Sequence, residues 1–532
     1  MSTIDILTAI DDTWTSQQPN TQVDLLKSDN GSLIFSLGGK SSYTWAENSD
    51  MAAWGLVNLA ADTNTANKVT FQAGSANDIA TRFKENGTLN DEYASYQSGD
   101  LVALAYHIST PRSKSSSTSV TFAIGLEQDN AFNWLGEPQT GYYQATISGT
   151  ENVVDHFFAD AFTADAEGIV LDKRITDIGA EISSNYSDIL ESTIRQIWGG
   201  FQILIPQASK DTTMAKAWMK EISTDGNVQT VADLLPKSFP VFYTLAPDYM
   251  RLLLKPLMEY SLVWPAEFGF HDLGKHYPNA TGETVATEEA LIVDQTSVLL
   301  WMAYAYQRAS KNTEWVKPYI SALTKFADYL VNNGLYPAKQ MSSTDSITPT
   351  ANQTILAMYA AIGLTSFGAL TEQSNYTAIG KNFTSVILKL GTDSNDTHII
   401  AHYGDPDTSW ISTYPFAFDK MLGLNTFNET TYEMQSIWYE GQLHPYGIPF
   451  YSGVDYTVAE FMAWCAATSS QSVSEALING IYAFLADGMN NVPGPTVWYV
   501  TGSQSGEWDS SIAKSTCGSY FMPLAVNMHQ KA

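Results

Sequence analysis

Among the carboxylates of this 532-residue chain, Asp272 has the strongest claim to take part in chemistry. It sits in His271-Asp272-Leu273-Gly274-Lys275-His276-Tyr277-Pro278-Asn279-Ala280-Thr281-Gly282, a hydrophilic but patterned loop with imidazoles at 271 and 276. A carboxylate beside histidines can hold and move a proton, as hydrolysis by an activated water requires. The plainer role is for Asp272 to cap the next turn, with both histidines satisfied inside the loop. Asp294 stands at the start of an apolar run, where a carboxylate either acts or caps the helix. Asp405 and Asp407 flank Pro406 and read better as turn formers than as cleft residues. Glu440, after Trp438-Tyr439, and Glu507-Trp508-Asp509 are weaker candidates of the same kind.

Two reaction types suit such groups. Amide hydrolysis needs an activated water or nucleophile, a donor for the developing oxyanion and an acid for departing ammonia. A free amino-acid amide also needs a cation for its α-carboxylate, a role that favours arginine. Only six arginines occur, at Arg82, Arg112, Arg174, Arg195, Arg251 and Arg308, which counts mildly against a dedicated amino-acid site. Glycoside hydrolysis needs two carboxylates, one protonated, across an aromatic-walled cleft. The 14 Trp and 28 Tyr could supply those walls, although most belong in a core. Trp410, Trp438, Trp498 and Trp508 flank polar loops and come first among them. There is no Gly-x-Ser-x-Gly elbow, phosphate loop, His-Glu-x-x-His or zinc-type cysteine pairing. Asp393-Ser394-Asn395-Asp396 opens like a calcium loop but lacks its glycine and terminal glutamate, so it reads as a turn. No metal and no cofactor is implied.

The elements that position these residues change character near residue 150. Before it, Leu101 to Ile108 and Val120 to Leu126 are short apolar runs around the loop Pro111-Arg112-Ser113-Lys114-Ser115-Ser116-Ser117. Residues 1–150 therefore read as an antiparallel β-sandwich, or the larger part of one. From about 152 the period is helical. Tyr186, Ile189, Leu190, Ile194, Ile197 and Trp198 share one helix face, as do Trp315, Tyr319, Leu323, Phe326 and Leu330 ahead of Asn333-Gly334. The run Val298 to Tyr306 is apolar all round, as in a helix buried on both sides. Further helical patterns recur near 250–261, 352–369, 374–390, 456–468 and 473–487. Alternation of amphipathic and all-apolar helices predicts a two-layer ring of paired helices, an α/α toroid over 151–532. An α-solenoid is the competing architecture, but no fixed sequence period supports it.

Composition narrows the partners. Lys+Arg 27 against Asp+Glu 56 gives a formal charge of −29, so nucleic acid is excluded as a partner. No run of about 18 uncharged apolar residues appears, so no membrane span is expected. Nine Asn-x-Ser/Thr sequons occur, at Asn30, Asn86, Asn185, Asn279, Asn352, Asn375, Asn382, Asn395 and Asn428, a density that suits an extracellular glycoprotein. The start, Met-Ser-Thr-Ile-Asp, does not read as a signal peptide, so a processed or shortened chain is expected. The two cysteines, Cys465 and Cys517, either form one bridge or stay buried thiols, and the bridge is slightly favoured.

Several segments occur in an order that resembles the fungal glutaminase A family. They begin with Phe122-Ala123-Ile124-Gly125, Ile194-Arg195-Gln196, Ser223-Thr224-Asp225-Gly226-Asn227-Val228-Gln229-Thr230-Val231 and Phe239-Pro240-Val241-Phe242. Leu253 to Tyr260, His271 to Gly282, Leu335 to Gln340 and Ala351 to Thr354 follow. Tyr403-Gly404-Asp405, Asp419 to Leu424 and Met434 to Tyr439 complete the set. The resemblance covers most of the chain and implies a β-sandwich followed by an α/α toroid that hydrolyses L-glutamine to glutamate and ammonia. Family members carry more β-sandwich sequence upstream, which implies a possible N-terminal fragment as partner.

Two departures bear on the transfer. Val293-Asp294 stands where the family has a Glu-Glu pair, and Lys514 with Gly518-Ser519-Tyr520-Phe521 stands where it has an Arg and then Gly-Gly-His-Phe. On this resemblance Asp272 and Asp294 are the acid/base or water-positioning residues, assisted by His271. His276, Trp410, Trp438, Tyr439, Glu440, Lys514 and Tyr520 are expected to orient or bind a small-molecule substrate. The alternatives are a glycoside hydrolase on the same toroid, acting through a carboxylate pair, and a carbohydrate-binding or inactive relative.

Overall fold

The structure is a computed structural model that describes residues 2–531, apart from 16–17, 19–20, 40–44, 46, 49–50, 66–67, 94, 111–118, 222–225, 284–290 and 343–346. The loop predicted at 111–117 and residues 223–225 of the 223–231 motif lie outside the described residues. The chain forms two compact units. The first comprises Met1–Leu171, Ile203–Ala215 and His276–Thr281, and the second Asp172–Gln202, Lys216–Lys275 and Gly282–Ala532.

In the first unit, one antiparallel sheet has Leu101–Thr110 between Ser2–Ile10 and Lys68–Gly74. A second runs in the order Thr21–Lys27, Ser32–Gly39, Leu56–Asp62, Phe122–Glu127. Strand alternation sends Leu33, Phe35 and Leu37 to the same side as Val57, Leu59 and Ala61. These meet Val102, Leu104, Tyr106 and Ile108 of the other sheet in one core, so the unit is a β-sandwich. The outward faces are covered as well. Helix α1 (Ala76–Asn86) sets Ile79 against Ala103 and Ala105. The start of helix α2 (Thr150–Ala180) sets Val154 against Ile34, Ala60 and Ala123. Burial on both faces is why Ser32–Gly39 reads as a nearly unbroken apolar run.

The second unit is a ring of six helical hairpins. Its helices are α3 (Ser184–Gly199), α4 (Leu234–Leu245), α5 (Pro247–Val263), α6 (Ile292–Ser310), α7 (Ile320–Asn333) and α8 (Thr354–Thr371). They continue with α9 (Ser374–Leu390), α10 (Phe416–Leu422), α11 (Glu429–Glu440), α12 (Ala459–Ala466), α13 (Gln471–Ala486) and α14 (Met522–Lys531), the last entered through a 3-10 turn at Ser515–Phe521. Odd-numbered members bury one stripe and form the outer wall, as the buried Leu323, Phe326 and Leu330 of α7 show. Even-numbered members are buried almost all round; every residue of α12 is buried. The ring closes where α13 packs on α3 outside and α14 packs on α4 inside. Helix α8 is long and apolar enough to cross a membrane, yet 89% of it is buried inside this ring.

Connections from inner to outer helices are short: Ala246 alone joins α4 to α5, and Glu372-Gln373 joins α8 to α9. Connections from outer to inner helices are long, spanning 200–233, 264–291, 334–353, 391–415, 441–458 and 487–514. Alternating helix direction therefore gathers every long loop, and every inner-helix N-terminus, at one end of the ring.

Close packing of this ring rests on small residues where helices touch. A Cβ at Gly380 of α9 would lie 2.6 Å from the Ala361 carbonyl oxygen and 2.5 Å from Thr365 Oγ1, both on α8. Gly380→Ala is expected to destabilise the protein by about 1–3 kcal/mol through overpacking, read as a lower midpoint in denaturant unfolding.

Candidate functional site

The first turns of the inner helices α4, α6 and α12 carry buried carboxylates or their partners. At the start of α4, Thr230 Oγ1 takes the Leu234 N–H (2.9 Å) and donates to Glu221 Oε2 (2.9 Å). The other Glu221 oxygen receives Lys514 Nζ at 2.5 Å, and the same ammonium lies 3.9 Å from Asp233 Oδ2. One turn into α4, Lys237 pairs with Asp233 and sits 4.9 Å from the ring centroid of Phe461. Glu221, Lys237 and Lys514 are all buried. This is a linked set of two cations and two carboxylates, the arrangement under which buried charge is tolerated.

Electrostatics binds the set together. Burial pushes the Asp233 carboxyl up, but the ammonium groups of Lys237 and Lys514 pull it further down, below the usual carboxylate range. Burial pulls Lys237 down, and Asp233 and Glu460 together more than restore it. Glu460, in the first turn of α12, is 2% exposed, and its Oε2 meets no hydrogen-bond partner among the described residues. The Tyr520 hydroxyl is likewise buried and unpartnered among them. Burial and the charge of Glu460 both push it well above its ordinary range. Carboxylates at helix N-termini also gain from the helix dipole, typically about 0.3–1 kcal/mol each.

The remaining expected residues fall in different places. Asp294 is completely buried in the first turn of α6, next to Val293, whose N–H donates to Gln340 Oε1 at 2.9 Å. Asp272 is also completely buried. Its Oδ1 accepts the Gly274 N–H (2.7 Å), and its Oδ2 lies 2.8 Å from His271 Nδ1 and 3.2 Å from Asn227 Nδ2. Its loop is tied to the entry of α4 by Val231 N–H to His271 O (2.7 Å) and Val228 N–H to Gly274 O (2.8 Å). Glu283 Oε2 accepts the His271 N–H at 2.8 Å, and burial pushes its carboxyl up, reinforced by Asp272. His276 belongs to the first unit, where its carbonyl accepts the Asn279 N–H.

Among the aromatic candidates, Trp410 and Trp498 are buried, and Trp498 stacks on Phe484 at 4.0 Å as core. Trp438 stacks on His398 at 3.7 Å. Tyr439 is buried with its hydroxyl on the Thr413 N–H (2.7 Å), bracing the entry to α10. Glu440 faces an outer groove of about 440 Å³, shared with Lys420, Glu429 and Glu433, rather than the inner-helix starts. Asp405 closes a local turn, its Oδ2 accepting the His402 N–H (3.1 Å), whereas Asp407 Oδ1 reaches across to accept the Ser394 N–H (2.8 Å). Among the described residues no group of three or more His, Cys, Asp or Glu is arranged to hold a metal ion.

The favoured disulfide does not form. Cys465 and Cys517 are free and buried, the first 3.4 Å from the Tyr439 hydroxyl and the second 3.8 Å from the Thr193 carbonyl. Burial pushes the Cys465 thiol up to about 12, and burial with the charge of Glu460 raises Cys517 too, so neither is a ready nucleophile.

The residues missed by sequence reasoning are Glu221, Asp233, Lys237 and Glu460. The available signal was charge inside apolar helices: Lys237 in LLPKSFPVFYTL and Glu460 in AEFMAWCA.

A β-sandwich followed by a six-hairpin α/α toroid, with its polar cluster at the inner-helix starts, defines the class of protein. Residues 183–524 match the glutaminase A six helical-hairpin domain, and residues 1–177 match a domain of unknown function (DUF5127). The chain belongs to the glutaminase A six-hairpin family. It is 28% identical over 502 residues to glutaminase A of Aspergillus oryzae, covering 90% of this chain and 71% of that one. It is 23% identical over 613 residues to a probable glutaminase of Arthroderma benhamiae, covering 92% and 69%. A bacterial glucoamylase complexed with acarbose shares the fold, with TM-score 0.50 and 12% identity over 96% of this chain and 75% of that one.

Removing one member of the ion network leaves its partners buried and uncompensated. Lys514→Met is expected to cost about 3–5 kcal/mol at neutral pH, with Lys514→Met/Glu221→Gln recovering part of it, by denaturant titration. The depressed Asp233 carboxyl contributes stability present above about pH 4 and lost as pH falls through its folded value. Wild type should therefore lose stability in acid, and Lys514→Met should show a smaller acid-linked loss.

Proposed function

We propose that this hydrolase cleaves the side-chain amide of L-glutamine, giving glutamate and ammonia, at the inner-helix N-termini of the toroid. The observation that carries the reading is the buried set of Lys514, Glu221, Asp233 and Lys237 beside the unpartnered Glu460 Oε2, in a chain of the glutaminase A six-hairpin family. An amino-acid amide presents an α-carboxylate and an α-ammonium, so its site needs a fixed cation and a fixed anion at close quarters. Lys514 and Lys237 offer the cation, which answers the scarcity of arginine. Glu460, with an oxygen still to satisfy, offers the acceptor for the ammonium. Both relatives carry glutaminase in their names.

The protein is further proposed to work outside the cell. Asn30, Asn86, Asn352, Asn375, Asn382, Asn395 and Asn428 are exposed, whereas Asn185 and Asn279 are half-buried and poorer acceptors. On material from a secreting fungal host, endoglycosidase treatment should lower the apparent mass, with attachment mapping to the exposed seven.

The reading is tested by ammonia release from L-glutamine with purified protein between about pH 4 and 9. Glu460→Gln should raise KM by about tenfold or more, because the charge on the ammonium acceptor is lost. Absence of ammonia above background across that range sinks the proposal. Sugar release from a panel of aryl glycosides in its place would move the assignment to saccharide chemistry on the same ring.

A further inference from the structure

The long loops of hairpins α7–α8 and α9–α10 carry a second constellation at the same end of the ring. Thr350 Oγ1 lies 2.7 Å from His402 Nε2, and His402 Nδ1 lies 3.0 Å from Asp405 Oδ2. An ionised carboxylate only accepts hydrogen bonds, so Nδ1 carries the imidazole proton and Nε2 is left to accept the Thr350 hydroxyl. Asp405 is itself fixed by the His402 N–H (3.1 Å) and the Ser409 hydroxyl (2.8 Å). Paired Gln340–Thr350 backbone bonds of 3.2 Å brace the first loop, and Thr354 N–H to Ala401 O (2.9 Å) and Tyr403 N–H to Asn352 O (3.0 Å) tie it to the second. Unlike the two thiols, these side chains keep access to solvent: His402 is 24% and Asp405 29% exposed.

We propose that Thr350, His402 and Asp405 are nucleophile, general base and orienting carboxylate of an acyl-transfer site for a primary carboxamide. Hydroxyl, base and orienter in that order are the requirement for activating a weak oxygen nucleophile. Thr350 Oγ1 bonds to the amide carbonyl carbon as its proton passes to His402 Nε2. The C–N bond then breaks, the departing nitrogen takes that proton, and ammonia leaves a threonyl ester. A water next bonds to the ester carbon and gives a proton to His402 Nε2. The ester C–O bond breaks, and Thr350 Oγ1 recovers the proton. One amide and one water become one carboxylic acid and one ammonia, with no other co-reactant. The identity of the amide rests on the glutamine reading above; the triad does not.

Two measurements separate the two. In the first, ammonia release from L-glutamine is compared for wild type, Thr350→Ser, Thr350→Val and His402→Ala, with thermal melting of each. Thr350→Ser should keep measurable turnover, while the near-isosteric Thr350→Val and His402→Ala should lose about 10³-fold or more in kcat with their folds intact. In the second, the proteins are treated with a simple β-lactone, which acylates activated hydroxyls without a glutamine-shaped site, and are read by peptide mass spectrometry. Wild type should be acylated at Thr350, and His402→Ala should not. Active wild type with unchanged kcat in Thr350→Val overturns the triad and leaves the glutamine reading standing. No ammonia from wild type, with Thr350 acylated, overturns the glutamine reading and keeps the triad. No acylation at Thr350 overturns the triad even where a variant fails to fold.

Discussion

The constraint behind the helical unit is that six helices must be buried on every side. A helix in that position has no wet face on which to discard charge. Buried hydroxyls inside the helices fold back on their own backbone, as Thr244 and Thr365 do, while buried carboxylates gather at the N-termini with their unsatisfied N–H groups and positive dipole end. Thr230, Asp233, Asp294 and Glu460 all sit there, whereas Asp419 in α10 reaches past the end of its own helix. Its carboxylate accepts the Thr426 and Phe427 N–H groups at 3.0 and 2.9 Å together with the Tyr432 hydroxyl. Burial pushes Asp419 up despite those bonds, which marks how strongly this interior resists charge.

The same constraint separates rigid framework from chemistry. Short inner-to-outer connections leave no room for elaboration, so variation collects in the long loops at the opposite end. Loops held over a fixed scaffold are where reacting groups are expected. The end of the ring divides by chemistry. Charge gathers at α4, α12 and the turn into α14, while the hydroxyl–imidazole–carboxylate relay stands between α8 and α10.

Periodicity made much of this architecture legible. The one-faced patterns at α3 and α7 and the all-apolar run in α6 fall on outer and inner walls, because burial dictates both, and helical patterns also fall on α9 and α13. Helix α4 escaped, since Pro236 and Pro240 interrupt its sequence. It is held by its packing against α5 and the turn before α14 in spite of them. The site was less legible. Asp272 attracted attention for its polar neighbours, which turn out to be the partners that occupy it. Glu460 and Lys237 looked like incidental charges in greasy helices, and only burial shows their cost. Thr350 and His402 are 52 residues apart in different hairpins. No local spacing links them, and Tyr403-Gly404-Asp405 marked the loop without revealing the histidine beside it.

The positions where the chain departs from its family resemblance can be weighed by the same physics. Lys514 stands where an arginine is expected, and its environment explains how a lysine serves. Arginine delivers a planar fork suited to one carboxylate, whereas an ammonium is a compact charge whose three donors can be shared. Here that charge reaches both Glu221 and Asp233, with Lys237 completing the neutralisation of Asp233. Tyr520 stands where a histidine is expected and brings a hydroxyl that burial and Glu460 keep protonated. A group held in one protonation state can donate to a ligand but cannot shuttle protons, so Tyr520 is suited to binding. The proposed proton carrier is a different group, the imidazole that Asp405 orients toward Thr350.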